Sequence, residues 1–215
     1  MDTATLEPVG TDARPATWLG RGSIVGLGSF ALVVGTLHLL SPDLNPQPRF
    51  ISEYANGPYK TLLSVGFWAL RLGSLLLTAV LWRMAPGAGW EIGMSLLGLW
   101  GVAVVLDGVF PIDPGAEPVT SAGKIHLMAA MTAFLALLVA ALVLSWRFRT
   151  MPAWATLSQP ALLGALLMLG LFGVGNILSL PTVQGPMQRS FVGACLACLL
   201  LVAGRVYQFR RAPHA

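Results

Sequence analysis

A single all-α bundle of six membrane-spanning helices is the fold this sequence predicts, and three observations predict it. Of its 215 residues 55% are hydrophobic and only 10% are charged, where a soluble domain carries about 25% charged residues. Mean hydropathy is +0.73. The apolar residues gather into six runs, each close to the roughly 20 residues that carry a helix across a bilayer. Within hydrocarbon a segment must satisfy its own backbone amides, so runs of this length read as helices.

The first run, Leu19 to Leu40, is longer than the roughly 7 to 15 apolar residues of a signal peptide. It ends in His38-Leu39-Leu40-Ser41-Pro42 and not in a small-x-small cleavage site, so it reads as a retained span. The others follow as Thr61 to Trp82, Trp90 to Phe110, Ser121 to Ser145, Thr156 to Leu180 and Met187 to Tyr207. Residues that break helices or prefer water divide them: Ser41 to Pro46, Ala85-Pro86-Gly87, Pro111 to Gly115, Met151-Pro152 and Gly185-Pro186. One domain, 19–207, lies between short tails, 1–18 and 208–215.

Orientation follows from the basic residues, which concentrate on cytoplasmic loops and tails. With the N-terminus inside, Arg14, Arg21, Arg83, Arg147, Arg149, Arg205, Arg210 and Arg211 are cytoplasmic, 8 of the 13. Arg49, Lys60, Lys124 and Arg189 fall outside, and Arg71 lies within the second span. Both termini are then cytoplasmic and the longest connection, Ser41 to Lys60, faces outward. The net charge of +4 is spread singly between apolar runs, which argues against a nucleic-acid partner.

Several features read as packing. Cys195 and Cys198 are the only cysteines and sit mid-span, so they suit a helix interface and not redox exchange. Gly22, Gly26, Gly28 and Gly35 suggest close helix contact. Trp18, Trp82, Trp90 and Trp146 sit at span ends as an aromatic belt would. Ser41-Pro42 with Gly57-Pro58 is echoed by Ser179-Leu180-Pro181 with Gly185-Pro186, a weak sign of a repeated hairpin.

Polar residues inside a span are costly and point to function. His38, Asp107, His126 and Asn176 all lie near the outer ends of their helices. On the second helix Thr61, Ser64, Trp68, Arg71, Ser74 and Thr78 recur every three or four residues and share one face. Arg71 is about 15 Å from the start of its span, near the midplane, where it must find an acceptor. Asp107 is the expected partner; the guanidinium fork alternatively suits an anion, such as a lipid phosphate or a carboxylate. His38, Asp107 and His126 raise the question of a metal, and the two histidines that of a haem. No spacing motif supports either, so no residue is assigned to a metal, no cofactor is assigned, and a hydrogen-bonding role is expected.

The connection Arg49 to Tyr59, with Ile51-Ser52-Glu53-Tyr54 at its centre, stands out from an ordinary loop. Together with Phe110-Pro111-Ile112-Asp113 and Gly123-Lys124-Ile125-His126, it resembles the domain-of-unknown-function 998 family of prokaryotic integral membrane proteins over about residues 22 to 207. The resemblance implies a compact multi-span bundle in the membrane and no established activity.

All three elements lie on the outward side in this topology. A loop carrying Glu53, Tyr54 and Asn56 at a helix mouth is able to fold down as a lid over His38, Asp107 and His126; alternatively Ser52 and Glu53 cap a short helix. The leading expectation is an outward polar cavity that binds a membrane lipid or other amphipathic small molecule. Its ligand-binding residues are His38, Ser52, Tyr54, Asn56, Arg71, Asp107 and Asn176. An alternative is a membrane enzyme with Glu53, Asp113 and His126 as catalytic acid or base residues around a His38, Asp107, Asp113 and His126 cluster; a small transporter is a third reading. The sequence is compatible with a homo-oligomer.

Overall fold

The computed structural model describes residues 13–84, 88–114, 118–178 and 181–209. Among these there are six long helices: α1 (Ala13–Leu40), α2 (Lys60–Trp82), α3 (Ala88–Val109), α4 (Ser121–Phe148), α5 (Ala155–Leu178) and α6 (Pro181–Phe209). A 3-10 helix, Ile51–Asn56, interrupts the long connection between α1 and α2. Each long helix holds a stretch apolar and long enough to cross a membrane. The protein is a multi-pass membrane protein. Successive helices pack on one another and α1 closes against α6, so the six form a ring.

The expected spans hold with shifted ends. α1 begins six residues before the expected Leu19, and α6 begins six before Met187. α6 runs through Pro186, which was expected to mark a break. The reason is local: Pro181 opens the helix, where its missing N–H costs nothing, and Gly185 donates its N–H across to Gln47 O at 2.9 Å. Gly57-Pro58, by contrast, precedes α2. The two Gly-Pro pairs therefore occupy different structural positions; Ser179 and Leu180 of the echo lie outside the described residues.

Close approach of α1 and α2 rests on glycine. A Cβ at Gly26 would meet the backbone of Ala69 and Gly73, and one at Gly73 would meet that of Ser23 and Leu27. Gly22 admits Leu76 in the same way, whereas Gly28 and Gly35 face open space and do not serve packing. Cys195 and Cys198 are buried and unbridged, Cys195 Sγ lying 3.3 Å from Met168 Sδ of α5. Trp18, Trp82 and Trp146 are exposed as a belt requires. Trp90 is not part of it: it is buried against Phe148 and Trp154 and its Nε1–H donates to Leu81 O at 3.2 Å.

The register of α3 on α2 positions the site. Trp90 bonds Leu81, Trp100 Nε1 donates to Ser74 Oγ at 3.0 Å, and Arg71 Nε donates to Val104 O at 3.0 Å. Along this antiparallel pair the end of α3 is reached near Arg71, while α2 runs on for about three turns to Lys60. Space is left beyond the end of α3, and the 3-10 helix and the segment 110–112 lie around it.

Candidate functional site

A helix end in an apolar setting leaves carbonyls without partners. At the end of α3 a histidine from the next helix supplies them. His126 Nδ1 lies 2.8 Å from Asp107 O and 3.0 Å from Phe110 O. Its Nε2 lies 3.3 Å from Asp107 Oδ1. The start of α4 is held by a relay: Asp113 Oδ2 accepts from the N–H groups of Val119 and Thr120, and Asp113 Oδ1 from the Thr120 hydroxyl, each at 2.8 Å. Thr120 Oγ1 in turn accepts from Gly123 N at 3.0 Å, capping α4. Gly123 is required here, since a Cβ would overlap the Asp113 carboxylate. The Thr120 N–H and hydroxyl, with the Val119 N–H, hold the Asp113 carboxyl below the usual carboxylate range.

Two cavities flank His126. The smaller, about 80 Å³, is lined by Arg71, Asp107, His126, Ser52, Ser64 and Trp68 among others. Arg71, Asp107, His126 and Ser52 are all buried. The guanidinium of Arg71 packs against Gly108, where a Cβ would overlap it, and lies 4.7 Å over the Trp68 ring. Its Nε is spent on Val104 O; Nη1 and Nη2 have no bonded partner among the described residues. The larger cavity, about 240 Å³, is mostly apolar: Leu127, Met131, Phe134, Leu171, Phe172 and Phe191 contribute to it. Asp113, Gln184 and Gln188 add polar groups. Ser52, Ile112 and His126 line both cavities and form their common wall.

The sequence profile described as Protein of unknown function (DUF998) matches residues 24–205. The chain belongs to that family. No curated protein and no solved structure matches it. In this DUF998 protein the three elements that carry the resemblance have separable jobs. Phe110 to Asp113 and Gly123 to His126 interlock the end of α3 with the start of α4. Ile51 to Tyr54 is a buried plug, fastened to α6 by the Gln188 side chain, whose Oε1 accepts from Ile51 N at 2.8 Å.

The residues expected to form one site do not all come together. Ser52, Arg71, Asp107 and His126 meet at the small cavity, and Asp113 lines the large one. Glu53 lines neither: its Oε1 accepts from Phe50 N at 2.8 Å and its Oε2 faces Arg49 Nη1 at 3.4 Å, the capping role. His38 and Tyr54 belong to a different assembly around Arg189. His38 Nδ1 bonds Val34 O at 2.7 Å, its Nε2 accepts from Arg189 Nε at 2.7 Å, and its ring tilts against Tyr54. Asn56 is exposed and lines neither cavity. Asn176 falls in α5, and its side chain lies outside the described residues.

The expected ion pair of Arg71 with Asp107 is replaced by Arg71 on the Val104 carbonyl and Asp107 on His126. Both ring nitrogens of His38 and of His126 face partners within the protein. Among the described residues no three His, Cys, Asp or Glu side chains gather as a metal ligand set. Sequence reasoning overlooked Arg189, whose Nη1 also donates to Pro46 O at 2.9 Å and Arg49 O at 2.6 Å. It looked like a lone outward charge; the signal was its place one turn past Gly185, the residue on which that loop rests.

Proposed function

We propose that this DUF998 protein binds a lipid or another amphipathic small molecule in the outer half of the cell membrane. The polar group of the ligand sits in the small cavity with Arg71, Ser52 and His126, and its apolar part occupies the larger one. The supporting observation is that a polar and an apolar cavity adjoin, Ser52, Ile112 and His126 lining both. Small-molecule sites combine apolar walls with a few convergent polar groups in this way. Access from the bilayer is supported by α2, where Val65, Trp68 and Leu72 are exposed beside the small cavity. Placing the site toward the outer face rests on the bias of basic residues to the opposite end.

The alternative, acid or base catalysis by Glu53 and Asp113, has less support. Glu53 lines neither cavity and its carboxylate caps Phe50 N, while the Asp113 carboxylate is held by the Val119 and Thr120 N–H groups, which lowers its basicity.

Native mass spectrometry after delipidation, with dodecyl-chain amphiphiles added back, tests the proposal. The wild type is expected to retain one amphiphile, and Ala130→Trp, at a residue of α4 that lines the apolar cavity, to lose it while keeping its helical circular dichroism. Equal binding by both proteins, or no binding by the wild type, rejects the site.

A further inference from the structure

We infer that the plug Ile51–Asn56 is held in place by a latch that acid releases, through the bond between Arg189 of α6 and His38 of α1. The latch acts on the cover of the two cavities, whatever ligand they hold.

Donor and acceptor roles at this bond are fixed by chemistry. The Nε of an arginine carries a hydrogen and has no lone pair to offer. Arg189 Nε donates to His38 Nε2 at 2.7 Å, so that ring nitrogen presents its lone pair. The other, Nδ1, lies 2.7 Å from Val34 O, a group that only accepts, and therefore carries the hydrogen. In the latched protein His38 is the neutral Nδ1–H tautomer. A proton added to the ring has one place to go, Nε2, where it takes the lone pair that Arg189 uses. It also sets an imidazolium against a guanidinium, two like charges at hydrogen-bond distance. Protonation of His38 and closure of the latch exclude each other. The latch holds where His38 is neutral and is lost as pH falls; histidine is the side chain whose charge ordinarily changes between about pH 5 and 8.

No acid is bonded to His38 to relieve that repulsion. The charged and titratable side chains that meet it are Arg189 from α6 and Tyr54 from the 3-10 helix, whose ring centroid is 5.5 Å away. Glu53 of the same 3-10 helix is turned to Phe50 N and Arg49. Asp43, in the loop after α1, is exposed, and neither ion pair among the described residues includes it or His38. The charged residues of α2, which also packs on α1, are Lys60 and Arg71, both basic.

What the latch holds is part of the wall of both cavities. Arg189 Nη1 donates to Pro46 O and Arg49 O, at 2.9 and 2.6 Å, and the guanidinium carbon lies 6.0 Å from the Tyr54 ring centroid. One residue earlier Gln188 Oε1 accepts from Ile51 N, and one turn earlier the Gly185 N–H is on Gln47 O. One turn of α6 thus grips the chain from Pro46 to Ile51. Beyond it Ser52 lines both cavities, with Phe50 at the large one and Ala55 at the small one. Freeing this segment uncovers both.

Amide hydrogen exchange of the full-length protein in detergent, read by mass spectrometry as protection relative to the intrinsic rate at each pH, tests the latch. Between about pH 8 and about pH 5, the protection of residues 46–57 in the wild type is expected to fall. The fall is about tenfold to a hundredfold, the range of one hydrogen bond to a charged group. The buried stretch of α4 from Ala133 to Ala141 is the reference and is expected to keep its protection. His38→Gln, whose amide oxygen accepts from Arg189 at either pH, is expected to keep the plug protected in acid. Arg189→Gln is expected to leave it weakly protected at both.

Equal protection of the plug at the two pH values in the wild type overturns the latch. An acid response that survives in His38→Gln or Arg189→Gln does the same, since it belongs to another group such as His126. A fall shared by α4 also overturns it, because the whole bundle is then loosening. Should His38→Gln misfold, the wild-type comparison and Arg189→Gln still decide.

Discussion

Both ring nitrogens of His126 are turned on one residue, Asp107: Nδ1 on its backbone carbonyl at 2.8 Å and Nε2 on its carboxylate at 3.3 Å. A side chain of α4 thereby closes the end of α3 and stands beside the one acid in that helix's last turns. The helix end and the cavity wall are the same structure.

Replacing His126 by Ala strands the Asp107 carboxylate and two carbonyls in a buried place. Breaking one partner of a buried pair costs about 3–5 kcal/mol. The expected outcome is a large fall in the thermal midpoint in detergent, with faster amide exchange over residues 107–113. Unchanged exchange there would remove His126 from its capping role.

Gly108→Ala moves the charge without removing it. The new methyl group overlaps the Arg71 guanidinium, which must leave Val104 O. Amphiphile binding is expected to weaken about tenfold, the loss of one hydrogen bond to a charged group, read by the same mass spectrometry. A variant that binds like the wild type would show that the position of Arg71 is not critical.

Asp113 predicts a pH dependence with a definite sign. Its carboxyl in the folded protein is lowered, first by the Thr120 N–H and then by the Thr120 hydroxyl. A group lowered on folding adds stability above its unfolded value, near pH 3.9 for Asp at roughly model conditions, and loses it as pH falls through the folded value. Asp113→Asn is therefore expected to melt lower than wild type at neutral pH, with the gap closing in acid. A gap that stays constant across this range would contradict the relay to Thr120.

Arg189→Gln is expected to loosen the loop at Pro46 to Arg49, because three contacts leave at once: His38 Nε2, Pro46 O and Arg49 O. A cysteine placed at Tyr54, buried in the native plug, is expected to react with maleimide faster in that background. Equal rates in the two backgrounds would show that Arg189 does not hold the plug.

The exposed Asn56 reads orientation. In a protein with Cys195 and Cys198 replaced by Ala, Asn56→Cys is expected to react with an impermeant maleimide on intact cells. Labelling only after permeabilisation would invert the bundle and move the site to the other face.

Apolar length alone determined the spans. Hydrophobic transfer energy accumulates residue by residue, so the runs from Leu19 to Tyr207 were legible without any knowledge of neighbours, as was the rarity of Arg71, Asp107 and His126 within them. Ser52, Glu53 and Asp113 were recognisable as belonging to unusual connections. Local spacing sufficed for the Glu53 cap on Phe50 N, but tertiary structure alone decided what the other buried polar groups touch. Arg71 took the Val104 carbonyl instead of Asp107 because α3 ends beside it, and Gly108 lets the guanidinium lie against the backbone. His38 left the expected cluster because Arg189, 151 residues away, reaches its Nε2. Trp90 turned inward onto Phe148 and Trp154 although it stands at a span end. A hydrogen bond depends on helix rotation and loop path to within a few tenths of an ångström. Those quantities are set by how six helices close into a ring, and no single segment contains them.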